Sequence, residues 1–284
     1  MYGTALGDLW RRIVAVVNAQ YGQIDPASLA DSFRAFVPQA AEIIALGQQQ
    51  AQALAAAFMA QYVETETGRA FRAAPVSNDI TGTTRDGVNI RTALSGSVAA
   101  VWLSMASGLD VTQSLARGRR IVARTAGMTV SDAAEREQTH QAEQAPQVSL
   151  SGTLRSVPVD SAKPPSGKLL KGWTWVVVGH TCAACLAQQD GSIQPWDRKG
   201  RRHPGCDCVR SPVVIGAPDT VTRPTGAELF DAMTPEQQAA VFASAGEEKA
   251  KAIRSGQATL ADFAHTAPTA AGQVITEAPL GEVA

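Results

Sequence analysis

The four cysteines of the chain lie in two short stretches, and the second stretch also contains a histidine. Cys182 and Cys185 form the sequence CAAC, and His203, Cys206 and Cys208 form HPGCDC. Zinc takes four thiolate or imidazole ligands in a tetrahedron, and one tight turn can offer two ligands that are three positions apart. The two cysteines of CAAC have this spacing, as do the histidine and the first cysteine of HPGCDC, and a zinc ribbon separates its ligand pairs by a similar distance. The residues therefore predict one structural zinc ion per chain.

Five candidate ligands compete for four places in this site. Spacing favours the pair His203 and Cys206, whereas the softness of thiolate ligands favours Cys206 and Cys208. Either His203 or Cys208 is then the fourth ligand, beside Cys182 and Cys185. No HExxH sequence and no His-x-Glu pair accompanies the cysteines, so we expect a structural metal and no enzyme activity.

Two alternatives to zinc remain open from the residues alone. The cysteines could form two disulfides, or they could be four unconnected thiols. Disulfides need an oxidising compartment. The amino-terminal stretch MYGTALGDLWRRIVAVV places its arginines inside an amphipathic pattern, so we expect no signal peptide and a reducing cytoplasm. No apolar run approaches the roughly 18 residues that span a bilayer, so we expect no membrane partner.

The sequence pattern changes near residue 147, and the elements that must position these ligands come after that change. Before it, the apolar spacing predicts helices that begin after Asp25, Asn89 and Asp110, with a further, almost wholly polar helix from about 129. We expect Pro38 and Gly47 to kink or divide the long helix after Asp25. The wholly polar helix must either be exposed or await a partner.

After residue 147 the pattern is typical of strands. The stretch QVSLSGTLRSVPV alternates polar and apolar residues like a strand, and WTWVVV (173–178) concentrates β-forming residues. Trp173 and Trp175 are expected on one strand face, packed over the metal. Capping sequences at Thr225 and Thr234 then begin short helices.

These features predict an α+β chain with four regions. We expect an N-terminal helical region with a loop (1–87), a domain with helices (89–145) and a strand-containing Cys/His module (147–216), short helices (217–265) and a flexible tail (266–284). The four expected regions are therefore 1–87, 88–216, 217–265 and 266–284.

A basic loop lies between the two ligand stretches. The densest part is WDRKGRRH (196–203), and its basic residues are Arg198, Lys199, Arg201 and Arg202. With Trp196 available to stack on bases, the loop is a candidate contact for the phosphates of double-stranded DNA. A solvated connection between ligand pairs is an equally good interpretation.

The order W-x-W, C-x2-C, G and HP-x-C-x-C resembles the Mu F-like minor head proteins of tailed bacteriophages. It is carried by Trp173, Trp175, Cys182, Cys185, Gly191, His203, Pro204, Cys206 and Cys208. That family also tends to have an upstream helix ending in Arg-Thr, and Arg124 and Thr125 stand in the matching places. Ala126 follows them where an acidic residue is common in the family. The resemblance covers roughly residues 90–212.

The resemblance implies a head morphogenesis protein present in few copies in the virion. Its partners would be the portal protein and inner capsid or scaffold proteins, with packaged DNA as a further contact and no small-molecule substrate. We expect it in the phage head interior or portal region, and in the host cytoplasm during assembly. We expect residues 1–62 to dock on the portal or an inner head protein, since their shallow apolar stripe exceeds the needs of one small core. The alternative is a metal-dependent enzyme or toxin-like effector, such as a nuclease or a head-maturation protease.

Overall fold

The computed structural model of the chain is mostly helical and describes residues 2–68, 71–145, 170–178, 182–198, 208–214, 223–269 and 272–277. Its helices are α1 (Tyr2–Tyr21), α2 (Leu29–Thr67), α3 (Ile90–Ala106), α4 (Val111–Gln144), α5 (Ala183–Gln188), α6 (Gly226–Asp231), α7 (Pro235–Ala240) and α8 (Gly246–Arg254). Its strands are β1 (Leu170–Val176), β2 (Val209–Val214), β3 (Ala264–Thr269) and β4 (Gly272–Glu277). Short 3-10 turns cover Pro26–Ser28 and Leu260–Phe263. The chain is thus mostly helical with small sheets, which agrees with the α+β class.

The helices begin and end where short polar side chains and glycine predict. Asp25, Asn89 and Asp110 each accept a hydrogen bond from a backbone N–H of the turn that follows. Gly108, with a φ of 93°, follows α3 and allows the chain to turn into α4. These side chains satisfy N–H groups that have no partner inside a helix.

Helices α1 to α4 pack around one hydrophobic core. Its largest fully buried members include Leu9, Ile44 and Leu94, which come from three different helices. The ring of Tyr21 meets the edge of Phe36 at a centroid distance of 5.3 Å. Burial raises the pKa of Tyr21 to about 12, because the ionised phenol would lose its water in this core. None of the helices in the described ranges is both long and apolar enough to cross a membrane.

The N-terminal helices form part of this core, which buries much of the apolar stripe of residues 1–62. The stripe of α1 and α2 lies against α4, while Val16 of α1 is exposed. The expected boundary at residue 87 also falls within the core, since Ile80 and Ile90 belong to the same cluster. Deleting residues 1–62 would therefore remove the core and could not test docking alone.

Two long helices are continuous at positions where the sequence suggested an interruption. Helix α2 runs through Pro38 and Gly47 without interruption. Helix α4 continues through the sequence TVSD (129–132), where we expected a new helix to begin. The hydroxyl of Thr129 donates to the carbonyl of Thr125 within the helix, at 2.6 Å, and so does not cap a helix end.

Strands β1 and β2 form an antiparallel pair, in which β1 overlaps the strand expected at 173–178. Thr174 lies opposite Ser211 and Val176 lies opposite Val209 in the register. Trp173 also makes an antiparallel bridge to Gln194, whose carbonyl accepts a hydrogen bond from the Trp173 N–H at 2.9 Å. The expected strand at 147–159 lies outside the described residues.

The C-terminal region forms a second packed unit around α5. Phe230, Phe242 and Phe263 are its aromatic centre, and Leu186 of α5 packs among them. The helix starts predicted at Thr225 and Thr234 are both confirmed, and each forms a capping box. Strands β3 and β4 pair as a hairpin, so the expectation of a flexible tail from residue 266 is corrected for residues up to 277.

The hairpin is tied to this unit by a buried cation. The Lys249 ammonium is 1% exposed and pairs with the carboxylate of Glu277. The same ammonium lies 5.6 Å from the ring centre of Phe242 and 5.5 Å from that of Phe263. The ion pair and the cation–π contacts with the two rings offset part of the free-energy cost of burying this ammonium.

Two glycines in the helices give a matched test of the bundle. A Cβ added to Gly127 of α4 would overlap the indole of Trp10, whereas nothing lies within 4 Å of a Cβ added to Gly96 of α3. We expect Gly127→Ala to lower the free energy of unfolding by about 1–3 kcal/mol through overpacking. Gly96→Ala should raise it by about 0.5–1 kcal/mol through helix propensity. Urea unfolding measures both, and equal effects would contradict the packing of α1 on α4.

Candidate functional site

Three of the four cysteines lie in one cluster with the two tryptophans of β1. Trp173, Trp175, Cys185 and Cys208 form a buried group, against which the half-buried Cys182 packs. The Cys185 and Cys208 side chains are completely buried. The two indole rings meet edge to face at a centroid distance of 6.2 Å. Both tryptophans therefore pack against the cysteines, while their packing over a metal stays a prediction. We refer to these five residues as the cysteine–tryptophan cluster.

Local structure explains how residues distant in sequence reach this cluster. Cys182 precedes the first turn of α5, and its carbonyl accepts the Cys185 N–H at 3.0 Å. This single turn brings both CAAC cysteines to one end of α5. Cys208 stands one position before Val209, which pairs with Val176 at the end of β1. The antiparallel register therefore carries Cys208 to the end of the strand that leads into α5.

Only Cys182, Cys185 and Cys208 of the five candidate ligands fall within the described residues. His203 and Cys206 lie outside the described residues, together with Lys199, Arg201 and Arg202 of the basic loop. Within the described ranges, no three or more His, Cys, Asp and Glu side chains are arranged as a metal-binding group. The donor set itself still suits zinc, since buried thiols beside aromatic rings are soft ligands shielded from water.

The C-terminal unit holds α5 from the other side. The Ala183 N–H donates to the carbonyl of Val241 at 3.0 Å, and the Gly226 N–H donates to the carbonyl of Gln189 at 2.6 Å. A side chain on Gly226 would collide with the backbone of Leu186. The domain boundary expected near residue 216 thus separates α5 from the C-terminal unit that packs on it.

The basic loop begins at an exposed turn, and its aromatic residue is already engaged. Arg198 is exposed and donates to the side-chain oxygen of Gln194. The Trp196 ring lies over the guanidinium of Arg210, 5.3 Å from its carbon. Trp196 is therefore half-buried against an arginine, which corrects the expectation that it is available to stack on bases.

Arg210 lies beneath the cluster and links it to the helical bundle. Its guanidinium lies 4.7 Å from the ring centre of Trp173, so two indoles enclose it. One amino group donates to the hydroxyl of Thr139 on α4, at 2.9 Å. The Gln138 amide of the same helix donates to the Arg210 carbonyl at 3.2 Å. Strand β2 is therefore bound to α4 through both the side chain and the backbone of one residue.

Carboxylates of α4 complete a buried ion-pair network around this arginine. The network consists of Arg85, Asp132, Glu135 and Arg210. Arg85 donates to Asp132 at 3.3 Å and to Glu135 at 3.1 Å, and Arg210 lies 3.9 Å from Glu135. The side chains are at most 9% exposed. Desolvated charges of this kind require partners of opposite sign.

A second carboxylate, Glu137, is held by hydrogen bonds from neutral groups. It accepts from the Gln52 amide at 3.2 Å, the Ser77 N–H at 3.1 Å and the Gln141 amide at 2.7 Å. These bonds fasten the segment before α3 across α2 and α4. The neighbouring Arg136 donates to that segment as well, and burial lowers its pKa below the ordinary value.

Sequence reasoning found the cysteines and tryptophans but missed the ion-pair network. The helix from 129 looked polar all round, and the structure buries it instead of exposing it. The available signal was the series of carboxylates and glutamines on a helix with few basic neighbours, which requires buried partners from elsewhere. Nothing in the sequence indicates which arginines, 50 and 71 positions away from their partners on α4, supply them.

Comparison with known proteins leaves the site to be interpreted from its geometry: no family model, no curated protein and no solved structure matches the chain.

Glu135 provides the test of the network. We expect Glu135→Gln to lower the free energy of unfolding by about 3 kcal/mol, because two buried guanidinium groups lose a shared carboxylate. Asp31→Asn is the matched control, since Asp31 pairs with Arg34 at 2.9 Å on the surface, where such a pair contributes little. Chemical denaturation followed by circular dichroism checks both variants. A loss at Glu135 no larger than that at Asp31 would show that the network does not stabilise the fold.

Proposed function

We propose that this protein is a minor head component of a tailed bacteriophage, incorporated in few copies near the portal during head assembly. The observation that carries the proposal is the cysteine–tryptophan cluster. The residues that resemble the Mu F-like head proteins are separated by up to 35 positions, counted from Trp173 to Cys208. Four of them share one buried cluster, as expected for a motif that maintains a fold.

The role of the cluster in this proposal is structural. Cys185 and Cys208 are completely buried, enclosed by indole rings on one side and supported through α5 by the C-terminal unit on the other. A catalytic metal or thiol needs an open position for its substrate. Burial of these sulfur atoms therefore supports assembly and stability over the alternative of a metal-dependent enzyme or toxin-like effector.

The same proposal includes one zinc ion per chain. Cys182, Cys185 and Cys206 would hold it, with His203 or Cys208 as the fourth ligand. When bound, the metal would link the start of α5 to the start of β2 and stabilise both.

Metal analysis tests the zinc proposal. Protein purified under reducing conditions should contain one zinc per chain, and Cys182→Ser should lose the metal and unfold at lower temperature, because metal binding supplies folding energy. Comparing Cys208→Ser with His203→Ala identifies the fourth ligand, since only the true ligand's loss should release zinc. Metal-free protein with fewer than four titratable thiols after denaturation would indicate disulfides instead.

The proposed partners are the portal protein and inner capsid or scaffold proteins, with packaged DNA as a further contact through the basic loop from Arg198 to Arg202. The proposal does not assign the portal contact to residues 1–62, because they belong to the bundle core. The proposed location is the head interior or portal region of the virion, and the host cytoplasm during assembly.

Virion composition tests the head proposal directly. We expect mass spectrometry of purified particles to find the protein in few copies relative to the major capsid protein. In a complementation assay, Cys185→Ala should be missing from particles because the cluster loses its centre, while Gly96→Ala should be incorporated normally. Absence of the wild-type protein from particles, despite its expression during assembly, would contradict the proposal and favour an assembly enzyme.

A further inference from the structure

The first half of α4 carries four arginines and no acidic residue. Arg117, Arg119, Arg120 and Arg124 lie within the stretch 111–131, where the sequence has neither Asp nor Glu. All four are exposed. Three of them, at positions i, i+3 and i+7, share one face of the helix, and we call Arg117, Arg120 and Arg124 the arginine stripe.

No carboxylate in the described residues compensates these charges. Some other surface arginines have one, as Arg34 pairs with Asp31 at 2.9 Å. Within the described part of the chain, the four arginines form no ion pair. The hydrogen bonds they make go to neutral groups, from Arg117 to the Ser104 hydroxyl and from Arg119 to the Asn18 side chain, both at 3.3 Å.

Folding does not explain the stripe, because like charges at these spacings oppose it. Arg117 and Arg120 are three positions apart, and Arg120 and Arg124 are four apart, so each pair repels along the helix. Basic residues in the first half of a helix gain nothing from the helix dipole, which favours cations at the other end. An uncompensated row of cations that costs the helix stability points to an anionic partner.

The opposite side of α4 holds this row rigidly against the bundle. Val122 is completely buried, and Gly118 is so close to Tyr21 and Val101 that a Cβ would overlap both. The other exposed positions of the face include Thr112, Gln113 and Ala116. These side chains carry no charge, so the guanidinium groups are the charged groups of this face.

The spacing of the stripe suits a sugar–phosphate backbone. Its ends are about 10.5 Å apart along the helix, at about 1.5 Å per residue. Phosphates of one DNA strand follow each other by about 3.4 Å along the duplex axis, so the stripe spans about three of them. Guanidinium groups bind phosphate oxygens in a bidentate manner, which makes arginine a preferred residue for such contacts.

We propose that the arginine stripe of α4 binds the phosphate backbone of nucleic acid without reading its sequence. The chemistry is shared by duplex and single-stranded chains, because both carry the same phosphate groups. This surface differs from the basic loop at Arg198–Arg202. The inference does not rest on the proposed role in phage heads, since it follows from the charges of α4 alone.

An anionic membrane is the less suitable partner. Exposed apolar side chains do occur nearby, since Trp102 and Leu103 of α3 are 43% and 70% exposed and Leu109 is 38% exposed. They gather at the turn between α3 and α4, whereas the arginines extend away from it to about 20 Å along α4. A membrane site places its cations in one plane around the inserted side chains. Only Arg117 could share such a plane.

Salt-dependent binding tests the proposal. Anisotropy of a labelled duplex and of a labelled single strand is measured with purified full-length protein at several salt concentrations. Arg117→Gln, Arg120→Gln and Arg124→Gln are combined in one variant. The slope of log affinity against log salt should fall by about 2.7 for the duplex and about 2.1 for the single strand, because three phosphate contacts are lost.

The control variant removes the same charge from other exposed positions, Arg34→Gln, Arg72→Gln and Arg91→Gln, and should keep the wild-type slope. Replacing the stripe by lysines should also keep it, because the charges remain. The glutamine variant should melt no lower than the wild type, which excludes misfolding. An equal fall in the control, or an unchanged slope in the stripe variant, overturns the proposal. Wild-type protein that binds only anionic vesicles or polyglutamate, and neither nucleic acid, also overturns it.

Discussion

The carboxylates on the second half of α4 lose their hydrating water when the chain folds. Other parts of the structure supply the hydrogen bonds and charges that replace this water. Asp132 and Glu135 receive guanidinium groups, and Glu137 receives three neutral donors. Each buried charge costs several kcal/mol unless it is paired or hydrogen-bonded. This requirement determines why the segment before α3 crosses α4, since it supplies Arg85 and the Ser77 N–H. It also determines where β2 must lie.

Strand β2 connects this network to the cysteine–tryptophan cluster. Cys208 and Arg210 are two positions apart. Cys208 packs in the cluster, and Arg210 forms an ion pair with Glu135. Trp173 belongs to both, because its indole contacts the cluster and also lies over the Arg210 guanidinium. A disturbance of either site therefore reaches the other through a single strand pair. The cysteine cluster and the bundle stabilise each other, although they lie far apart in the sequence.

The sequence was most informative where local chemistry decides the structure. Asp25, Asn89, Asp110, Thr225 and Thr234 could be recognised as helix starts because each cap involves residues within three positions. The strands carrying the tryptophans were recognisable from their β-branched and aromatic composition, and the shared face of Trp173 and Trp175 followed from the period of a strand.

The sequence was least informative where contacts between distant parts of the chain determine the structure. The polar helix at 129–145 gave no sign of the side that faces the core, because its burial depends on Arg85 and Arg210. Local pattern also suggested breaks at Pro38, Gly47 and Thr129, yet tertiary packing keeps both long helices continuous. The hairpin after residue 263 was missed because its anchor is the distant, buried Lys249.

The sequence separations within the ion-pair network impose an order on its assembly during synthesis. A ribosome releases Arg85 before α4, but Arg210 emerges only after Glu135 and Thr139 have left the exit tunnel. The bonds of Arg210 to α4 span 71 positions, so this half of the helix must wait with an incomplete set of partners. Contacts of such long range slow folding, because the intervening chain must close a loop first. The nascent helical bundle therefore passes through a stage in which the second half of α4 still lacks its last partner.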